Sequence, residues 1–396
     1  MNKKTVRDIE VSGKRVLVRV DFNVPLDETT GNVTDDTRIG AALPTIKYLV
    51  NQGAKVILCS HLGRPKGQIV EKLRLAGVAQ RLEQLLGQSV RATRDCIGSE
   101  VEKTVKEMKN SEILLLENVR FHPEEEKNDA SFAQALASLA EIYVNDAFSA
   151  SHRAHASVVG VTRYLPAVAG FLMEKELNFL GSILTEPAHP FAALIGGAKV
   201  SDKISLLKNT VGKVDTILIG GGMAATFLKA NSYAVGLSLV EPEMLDVVTG
   251  LTEEAARKGV HLLLPVDVVV AGEISAEAKG NPVAVGNISP DSRIVDIGPQ
   301  TVKIFGEELQ KCKTIFWNGP MGIYEIPQFA EGTNSIAKLL ADIDASIVIG
   351  GGSTAEVVTK MGLVDKMTFV STGGGASLKF LGGEALPGVE VLPDKE

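Results

Sequence analysis

The sequence predicts an α/β protein with two doubly wound, Rossmann-like parallel-sheet lobes that are joined by an interdomain helix. Short apolar runs alternate with longer helical patterns along almost the whole chain, which is the order expected of βαβ units. The runs are continuously apolar rather than alternating, which is typical of strands covered by helices on both faces of a parallel sheet. A second series of alternating strand and helix patterns begins after a helical segment near residue 174.

Ten strands are predicted, four before that segment and six after it. The first four are residues 15–20, 55–59, 113–116 and 141–145, and the other six are 191–195, 216–219, 260–264, 314–317, 346–349 and 366–370. Helical spacing of apolar residues lies between them, for example at 81–86, 131–139 and 331–341.

The interdomain helix is predicted at residues 174–187. Leu177, Leu180 and Leu184 recur there with helical spacing, and two prolines follow before the next strand. The predicted domains are therefore residues 1–173 and 188–382. The alternative is a crossover helix inside one sheet, but a sheet of ten or more parallel strands is unusually wide.

Composition excludes several classes of protein. The 396 residues are 45% hydrophobic and 22% charged, so the chain is not intrinsically disordered. The net charge of −7 does not favour a general nucleic-acid or membrane-surface binder. The three cysteines match no metal spacing and indicate reduced thiols in a cytoplasm. The N-terminus lacks a signal-peptide pattern, and the apolar run at 261–272 is too short to cross a bilayer.

Three glycine triplets follow predicted strands in the second half, at residues 220–222, 350–352 and 373–375. The first two precede helical patterns, and a strand, glycine turn and helix N-terminus together favour phosphate binding. Three such loops in one lobe indicate a nucleotide site. Ordinary tight turns are the alternative.

The class of nucleotide stays open at this point. No P-loop motif is present, and the pattern G-x-G-x-x-A occurs twice without the acidic residue that binds a ribose. A nicotinamide-dependent oxidoreductase is therefore one hypothesis. Lys199 and Lys203 follow the strand at 191–195 with i, i+4 spacing, which favours phosphoryl chemistry if the segment is helical. A solvated lysine pair is the alternative.

The first lobe has basic residues at or after its strand ends, where α/β lobes bind ligands. They are Arg19, Arg38, His61, Arg64, Arg120, His122, His152 and Arg153. Singly, each arginine could be a surface residue; together they predict a pocket for a small, multiply charged anion. His152-x-x-His155 has no third metal ligand at a suitable spacing.

No Ser–His–Asp order, G-x-S-x-G elbow or C-x-x-C motif is present, so the predicted mechanism is binding and electrostatics. A nucleotide polyphosphate in one lobe and a small anion in the other are the requirements of phosphoryl transfer, which needs mainly alignment and positive charge.

These motifs resemble those of the phosphoglycerate kinase family. The first-lobe motifs are residues 19–25 (RVDFNVP), 60–65 (SHLGRP), 117–122 (ENVRFH) and 152–155 (HRAH). The second-lobe motifs are residues 196–203 (GGAKVSDK), 220–224 (GGGMA), 317–322 (WNGPMG) and 371–377 (STGGGAS). The match runs in order along the whole length.

The resemblance implies a cytoplasmic, monomeric glycolytic kinase whose two lobes close by a hinge and which binds neither nucleic acid nor membrane. It would transfer a phosphoryl group reversibly between 1,3-bisphosphoglycerate and ADP, giving 3-phosphoglycerate and Mg-ATP. The phosphoglycerate would lie in lobe 1–173, the nucleotide in lobe 188–382, and residues from about 383 to 396 would pack back on the first lobe.

The resemblance also implies roles for individual residues. Arg38 and Lys203 would act on the transferring phosphoryl group. The phosphoglycerate would be bound by Asp21, Asn23, Arg38, His61, Arg64, Arg120 and Arg153. The nucleotide would be bound by Lys199, Lys203, Gly220, Gly221, Val295, Asn318, Pro320, Glu325, Gly351, Gly352, Ser353 and Thr354.

Two residues depart from the family pattern: Ile294, at the expected adenine edge, and Ser353, at the expected metal site. The family commonly has an acidic residue after the glycines at 350–352, where it contacts Mg²⁺, and this chain has Ser353 there. A hydroxyl can still ligate Mg²⁺, as in P-loops. Ser353 and Glu356 also match a helix capping box. A non-catalytic binding protein that keeps the fold is therefore a further hypothesis.

Overall fold

The computed structural model describes residues 2–395. In it the chain divides into two compact units. Unit 1 consists of Met1–Asn178 and Ala385–Glu396, and unit 2 is Phe179–Glu384. Each unit contains one six-stranded sheet in which every strand pairing is parallel. The predicted two-sheet α/β fold is therefore confirmed, and the single wide sheet is wrong.

The sheet of unit 1 has the strand order β3-β4-β2-β1-β5-β6. Its strands are β1 (Arg15–Arg19), β2 (Lys55–Cys59), β3 (Val90–Ala92), β4 (Ile113–Leu115), β5 (Ile142–Asn145) and β6 (Ala167–Ala169). Its α-helices are α1 (Thr37–Asn51), α2 (Ala76–Leu86), α3 (Ser99–Lys106), α4 (Pro123–Glu126) and α5 (Ala130–Ala137). Short 3₁₀ helices lie at Glu71–Leu73, Val119–Phe121, Phe148–Ala150 and Gly160–Arg163.

Helix α6 (Phe171–Thr185) connects the two units in sequence. Its first turn is held by the buried carboxylate of Asp146, whose Oδ1 accepts the N–H groups of Leu172 at 2.9 Å and Met173 at 3.2 Å. Gly170 precedes the helix, and a Cβ there would lie 2.1 Å from this oxygen. The absence of a side chain at position 170 thus allows the carboxylate to reach the helix N-terminus.

The main sheet of unit 2 has the order β15-β14-β13-β7-β8-β9, and a second sheet has the antiparallel order β11-β10-β12. The strands are β7 (Phe191–Ile195), β8 (Thr216–Ile219), β9 (His261–Leu263), β10 (Asp267–Ala271), β11 (Asn281–Ala284), β12 (Arg293–Ile297), β13 (Thr314–Asn318), β14 (Ser346–Gly350) and β15 (Phe369–Val370).

Eight α-helices follow the strand β7 along the part of the chain that the structure describes, the last of them in unit 1. They are α7 (Ile204–Thr210), α8 (Ala224–Ala230), α9 (Leu245–Arg257), α10 (Pro299–Leu309), α11 (Glu331–Ala341), α12 (Gly352–Lys360), α13 (Gly375–Leu381) and, after residue 385, α14 (Pro387–Glu390). The 3₁₀ helices of this part are Pro242–Met244, Val285–Asn287, Pro327–Phe329 and Val364–Lys366.

Several short elements differ from the prediction. The strands β3 and β6 have three residues each and were not predicted. The antiparallel sheet was also missed, because β11 is exposed, contains Pro282 and lies at an edge. The predicted strand 366–370 is reduced to two residues, and the third glycine triplet also precedes a helix, α13.

The segment after residue 385 is part of unit 1. Asn145, at the end of β5, donates an Nδ2 hydrogen bond to the Gly388 carbonyl at 2.9 Å, and the Lys4 N–H donates to the Pro393 carbonyl at 2.9 Å. A Cβ on Gly388 would lie 2.8 Å from Ser151, so α14 packs directly against the loop after β5. Across residues 2–395, no helix has both the length and the apolar character needed to cross a membrane.

Candidate functional site

Strand order determines where each unit presents its loops. In unit 1 the strands β2, β4 and β3 lie on one side of β1, and β5 and β6 lie on its other side. The direction in which strands are added to the sheet therefore reverses between β1 and β5. In unit 2 the reversal lies between β7 and β13. Ligand crevices of doubly wound sheets lie at the carboxyl ends of strands at such reversals. Several of the predicted site residues follow these strands or their neighbours in the sheet.

Asp21, two residues after β1, is the centre of the unit 1 site. Its carboxylate is 8% exposed and accepts hydrogen bonds from Arg38 Nη1 and Ser149 Oγ. The N–H of Asn23 donates to the other oxygen at 3.0 Å. Burial works to raise the pKa of Asp21, but the neighbouring His61 and Arg38 and the hydrogen bonds outweigh it and hold this pKa below its usual value. Asp21 is therefore an anion that neutralises part of the local positive charge.

His61, directly after the loop residue Ser60, lies between an acid and a base. Its Nδ1 is 4.0 Å from Asp21 Oδ1 and 3.1 Å from Arg19 Nη2. Burial lowers the pKa of His61 well below its usual value, and Arg19 adds to this effect against the attraction of Asp21. His61 is consequently a neutral hydrogen-bonding group at physiological pH.

A group of buried arginines surrounds this pair. Arg19 is fully buried, and its Nε donates to Ser157 Oγ at 2.8 Å. Arg120 is 5% exposed, and its Nη1 donates to the Gly63 carbonyl at 3.0 Å. Burial and the charge of Arg19 lower the pKa of Arg120 to about 10, with a smaller contribution from Arg153. The Nε of Arg120 is buried and forms no hydrogen bond among the described residues, although it lies 3.3 Å from Glu126 Oε1 in an ion pair. Such a cluster is suited to an added anion.

Two further predicted residues lie at the edge of this group. Asn23 is half-buried, and its Oδ1 accepts the Gly63 N–H at 2.8 Å, which ties the loop after β1 to the loop after β2. Arg153 is half-buried, with its Nε 3.0 Å from His152 Nε2. Arg64 is exposed. The structure therefore brings Asp21, Asn23, Arg38, His61, Arg120 and Arg153 to the carboxyl ends of β1, β2, β4 and β5.

In unit 2 the loops after β7, β13, β14 and β15 line a cavity of about 570 Å³, termed here the glycine-loop cavity. Its lining includes Gly197, Lys203, Asn318, Pro320, Gly351, Gly352, Ser353, Thr354 and Gly374. A second cavity of about 610 Å³, the apolar cavity, is lined by Leu237, Leu239, Ile294, Val295, Pro320, Glu325 and Ser353 among others. Pro320 and Ser353 line both, so polar and apolar recesses meet at these residues.

Lys203 and Asn318 pair inside the glycine-loop cavity. The Lys203 Nζ donates to Asn318 Oδ1, and burial lowers the pKa of Lys203 to about 8 against the opposing charge of Asp202. The Nδ2 of the fully buried Asn318 has no acceptor among the described residues. A partly desolvated cation and an unused N–H donor in one cavity indicate a binding site for an anion.

Lys199 does not share a helix face with Lys203. The helix α7 begins only at Ile204, and Lys199 lies in the loop before it, exposed to solvent. The condition for an i, i+4 pairing, a helical segment, is therefore not met. The reason is local: Gly197 has φ +109°, and the turn residues that follow it, rather than a helix, join β7 to α7.

The loop that carries these two lysines is held by Glu241. This carboxylate is 6% exposed; one oxygen accepts the N–H groups of Val200 at 2.6 Å and Ser201 at 3.3 Å, and the other accepts Ser201 Oγ. The Glu241 N–H in turn donates to Thr226 Oγ1 at 3.2 Å. Glu241 thus fixes the backbone between Lys199 and Lys203.

Gly220 and Gly221 lie behind the cavities rather than on their walls. A Cβ on Gly220 would lie 2.4 Å from the sulfur of Met321, and one on Gly221 would lie 2.6 Å from the Gly197 backbone. Neither glycine lines the two cavities within the part of the chain that the structure describes. They allow three loops to pack closely, which shapes the cavity indirectly.

Ser353 lies in the first turn of α12 and is exposed. The N-cap of this helix is Gly351, at φ 88°, and no side-chain cap is formed. The predicted capping box is therefore wrong, and the Glu356 carboxylate accepts the Tyr324 hydroxyl at 2.9 Å and pairs with Lys360 at 2.5 Å. Thr354, fully buried, accepts the Gly319 N–H at 2.7 Å and so joins α12 to the loop after β13.

The sequence motifs did not indicate the buried or half-buried residues that support these sites. They are Ser149, Ser157 and Glu125 in unit 1 and Glu241 in unit 2. Glu125 is fully buried, and burial raises its pKa although Arg19 and Ser157 act against this. Each reaches its partner from a distant part of the sequence, so no local spacing could have identified it.

Comparison with known proteins identifies the family. The family model "Phosphoglycerate kinase" matches residues 6–384. The phosphoglycerate kinases of Moorella thermoacetica and Pelotomaculum thermopropionicum are 56% and 54% identical to this chain over 395 residues, with full coverage of both chains in each comparison. Solved structures from Coxiella burnetii and Pyrococcus horikoshii are 40% and 34% identical, with TM-scores of 0.87 and 0.86 and 98% coverage of each chain.

These likenesses extend over both units and over the strand-end loops described above. They decide against a nicotinamide-dependent oxidoreductase, because the matched proteins are kinases. On the strength of the family model and of full-length relatives at more than half identity, this chain belongs to the phosphoglycerate kinase family.

Proposed function

We propose that this chain transfers a phosphoryl group reversibly between 1,3-bisphosphoglycerate and ADP, giving 3-phosphoglycerate and Mg-ATP. The observation that carries the proposal is that each unit has a different candidate anion site at the point where the strand order of its sheet reverses. One is a cluster of buried arginines beside Asp21, and the other is a glycine-loop cavity that contains Lys203. Family membership supports the same reaction.

In unit 1 the proposed ligand is the phosphoglycerate. Arg120 supplies a buried guanidinium whose Nε forms only an ion pair with the exposed Glu126 carboxylate, and a phosphate oxygen could replace that partner. Asp21 and Asn23 would bind the hydroxyl and carboxyl end, and neutral His61 would donate or accept one hydrogen bond without adding charge. Arg64 and Arg153 would complete the positive surroundings from the rim.

In unit 2 the proposed ligand is ADP or ATP. The apolar cavity, with Val295 and Glu325 on its wall, would hold adenine and ribose. The loops at Gly351–Thr354 and the Lys203–Asn318 pair would bind the phosphates, since backbone N–H groups at a helix start favour anions. Exposed Lys199 would reach the polyphosphate from the loop, while Gly220 and Gly221 would act by keeping the loops close.

The residues present fit Mg²⁺ in the way that nucleotide-held Mg²⁺ is usually bound. Ser353 supplies a hard oxygen ligand where the two cavities meet, and phosphate oxygens and water supply the rest. When bound, Mg²⁺ would neutralise phosphate charge. A neutral hydroxyl holds the ion less firmly than the acidic residue that is common in the family.

The proposed chemistry needs no general base. In the ATP-consuming direction the carboxylate of 3-phosphoglycerate attacks the γ-phosphorus in line, and the bond from this phosphorus to the β,γ-bridging oxygen breaks. A carboxylate is already ionised at neutral pH, so no proton has to be removed. Arg38 and Lys203 would stabilise the charge of the transferring group, and closure of the two units would exclude water from the acyl phosphate.

The test is a coupled assay with 3-phosphoglycerate and Mg-ATP over a magnesium series. We expect turnover in the wild type and a loss on the order of 100-fold in kcat for both Arg38→Ala and Lys203→Ala, because each removes a charge from the transition state. Lys203→Ala should also weaken ADP binding, and Arg38→Ala should leave it unchanged. Lys229→Ala and Arg257→Ala, at exposed positions, are the matched controls.

The result against the proposal is tight ADP binding by the wild type without turnover at any magnesium concentration. That outcome would favour the non-catalytic binding protein. The cytoplasmic, monomeric form is also part of the proposal; the free cysteines Cys59, Cys96 and Cys312 support the compartment. Sedimentation of the purified chain measures the oligomeric state.

A further inference from the structure

A group of three potential metal ligands lies in unit 1 outside the proposed substrate site. Asp95 and Cys96 are in the loop that follows β3, and His122 follows the 3₁₀ helix Val119–Phe121. The ligand atoms of these three side chains all lie within 4.8 Å of one another. The group combines a carboxylate, a thiol and an imidazole, which is a donor set unlike the acidic clusters found on many protein surfaces.

The loop that contains two of these ligands is anchored to the sheet. Thr93 Oγ1 donates to the Asp95 carbonyl at 2.7 Å, and the Thr93 N–H donates to the Leu115 carbonyl, at the end of β4, at 3.1 Å. The Cys96 N–H donates to Asp95 Oδ1 at 2.7 Å, and the same oxygen lies 2.7 Å from His122 Nε2. The three side chains are thus held close before any ion binds.

The Cys96 thiol is the second observation that indicates a ligand. Cys96 is fully buried, and its sulfur lies within 4.8 Å of the ligand atoms of the exposed Asp95 and the half-buried His122. A buried sulfur next to a carboxylate and an imidazole supplies the soft donor of a mixed ligand set.

The site is open on one side only. The side chains of Asp95 and His122 are 54% and 26% exposed, whereas Cys96 forms the buried floor. An ion would therefore enter between the carboxylate and the imidazole. Three protein ligands with one face toward solvent leave a fourth position for water, as in zinc sites that are not fully closed by protein.

We propose that Asp95, Cys96 and His122 form a binding site for a borderline-soft divalent cation of the zinc type, separate from the magnesium that accompanies the nucleotide. On binding, the thiol would lose its proton to solvent and the sulfur would bond to the ion, with imidazole nitrogen and carboxylate oxygen as the other protein ligands. Mg²⁺ is excluded, because it prefers oxygen ligands in octahedral geometry.

The test is titration of the full-length, metal-free protein with Co²⁺, whose absorption reports its ligands. We expect a thiolate-to-cobalt charge-transfer band and tetrahedral d–d bands that saturate at one ion per chain and are displaced by Zn²⁺ but not by excess Mg²⁺. Cys96→Ser should abolish the charge-transfer band. Cys312→Ser removes another buried free thiol, in unit 2, and should leave the spectrum unchanged.

Two variants at the exposed side keep the test decisive if Cys96→Ser does not fold. Asp95→Asn and His122→Gln should each weaken Co²⁺ binding by about tenfold or more, with unchanged circular dichroism. The proposal is overturned if the wild type shows no thiolate-to-cobalt band at saturating Co²⁺. It is also overturned if Asp95→Asn and His122→Gln both bind Co²⁺ with the affinity of the wild type.

Discussion

Replacing Glu241 with alanine should weaken nucleotide binding without removing any group that lines the two cavities of unit 2. Glu241 holds the loop between Lys199 and Lys203 by accepting hydrogen bonds from Val200 and Ser201. Without this carboxylate, the loop has no fixed position relative to the start of α7. The lysines would then spend less time where a phosphate can meet them.

The size of the effect follows from which donors lose their acceptor. Val200 is fully buried, so its N–H would be left without a partner at a cost of about 1–3 kcal/mol. Ser201 is exposed, and water can replace the carboxylate there. If the loop instead moves so that the Val200 N–H reaches water, the loop conformation seen in the structure is destabilised by a similar free energy. A loss of about 1.4 kcal/mol corresponds to roughly tenfold weaker binding.

The assay is ADP affinity by calorimetry together with steady-state kinetics. Glu241→Ala should raise the KM for Mg-ATP about tenfold and leave the KM for 3-phosphoglycerate unchanged. Glu241→Gln keeps one oxygen for the Val200 N–H and should recover most of the affinity. Glu243→Ala, at an exposed position two residues away, is the matched control.

The reasoning would be refuted by a Glu241→Ala protein that is folded like the wild type and binds ADP with the same affinity. An equal loss of affinity for 3-phosphoglycerate would also contradict it, because that outcome indicates general unfolding rather than displacement of one loop.

Three further predictions follow. ADP affinity should fall as the pH rises through about 8, because burial lowers the pKa of Lys203 to about 8 and the side chain then loses its charge. An equally steep fall of ADP affinity with pH in Lys203→Ala would contradict this prediction. Ser353→Asp should lower the magnesium concentration needed for half-maximal activity. An equal half-maximal concentration in the wild type and the variant would contradict this prediction. Gly170→Ala should destabilise unit 1 by about 1–3 kcal/mol in urea unfolding, since its Cβ would lie 2.1 Å from Asp146 Oδ1. Gly250→Ala, inside α9 with nothing within 4 Å of its Cβ, should be neutral or stabilising and is the control.

The central strands and long helices could be predicted because burial on both faces leaves a continuous apolar run. The strands at Lys55–Cys59 and Phe191–Ile195 and the helix at Glu331–Ala341 have the predicted bounds. Edge strands lack this signal. In β3 only Val90 is buried, and β11 is mostly exposed, so neither has a pattern that differs from a loop.

The positions of the site residues could be predicted because the carboxyl ends of parallel strands lie on one edge of a sheet. Their conformations could not. Residue spacing would bring Lys199 and Lys203 to one face if the segment were helical, but the helix begins after both of them. Residue types also assigned Ser353 to a cap, whereas Gly351, with its positive φ, occupies that position. Glu125 and Glu241 were missed because their partners are distant in sequence.

The placement of α14 has a consequence for biosynthesis. Residues 385–395 complete unit 1 through contacts such as the Asn145–Gly388 hydrogen bond, yet the ribosome makes them after the whole of unit 2. Unit 2 is one uninterrupted stretch and has all of its sequence earlier. We expect unit 2 to reach its native state first during translation, and unit 1 to remain protease-sensitive until residues 385–395 have left the ribosome.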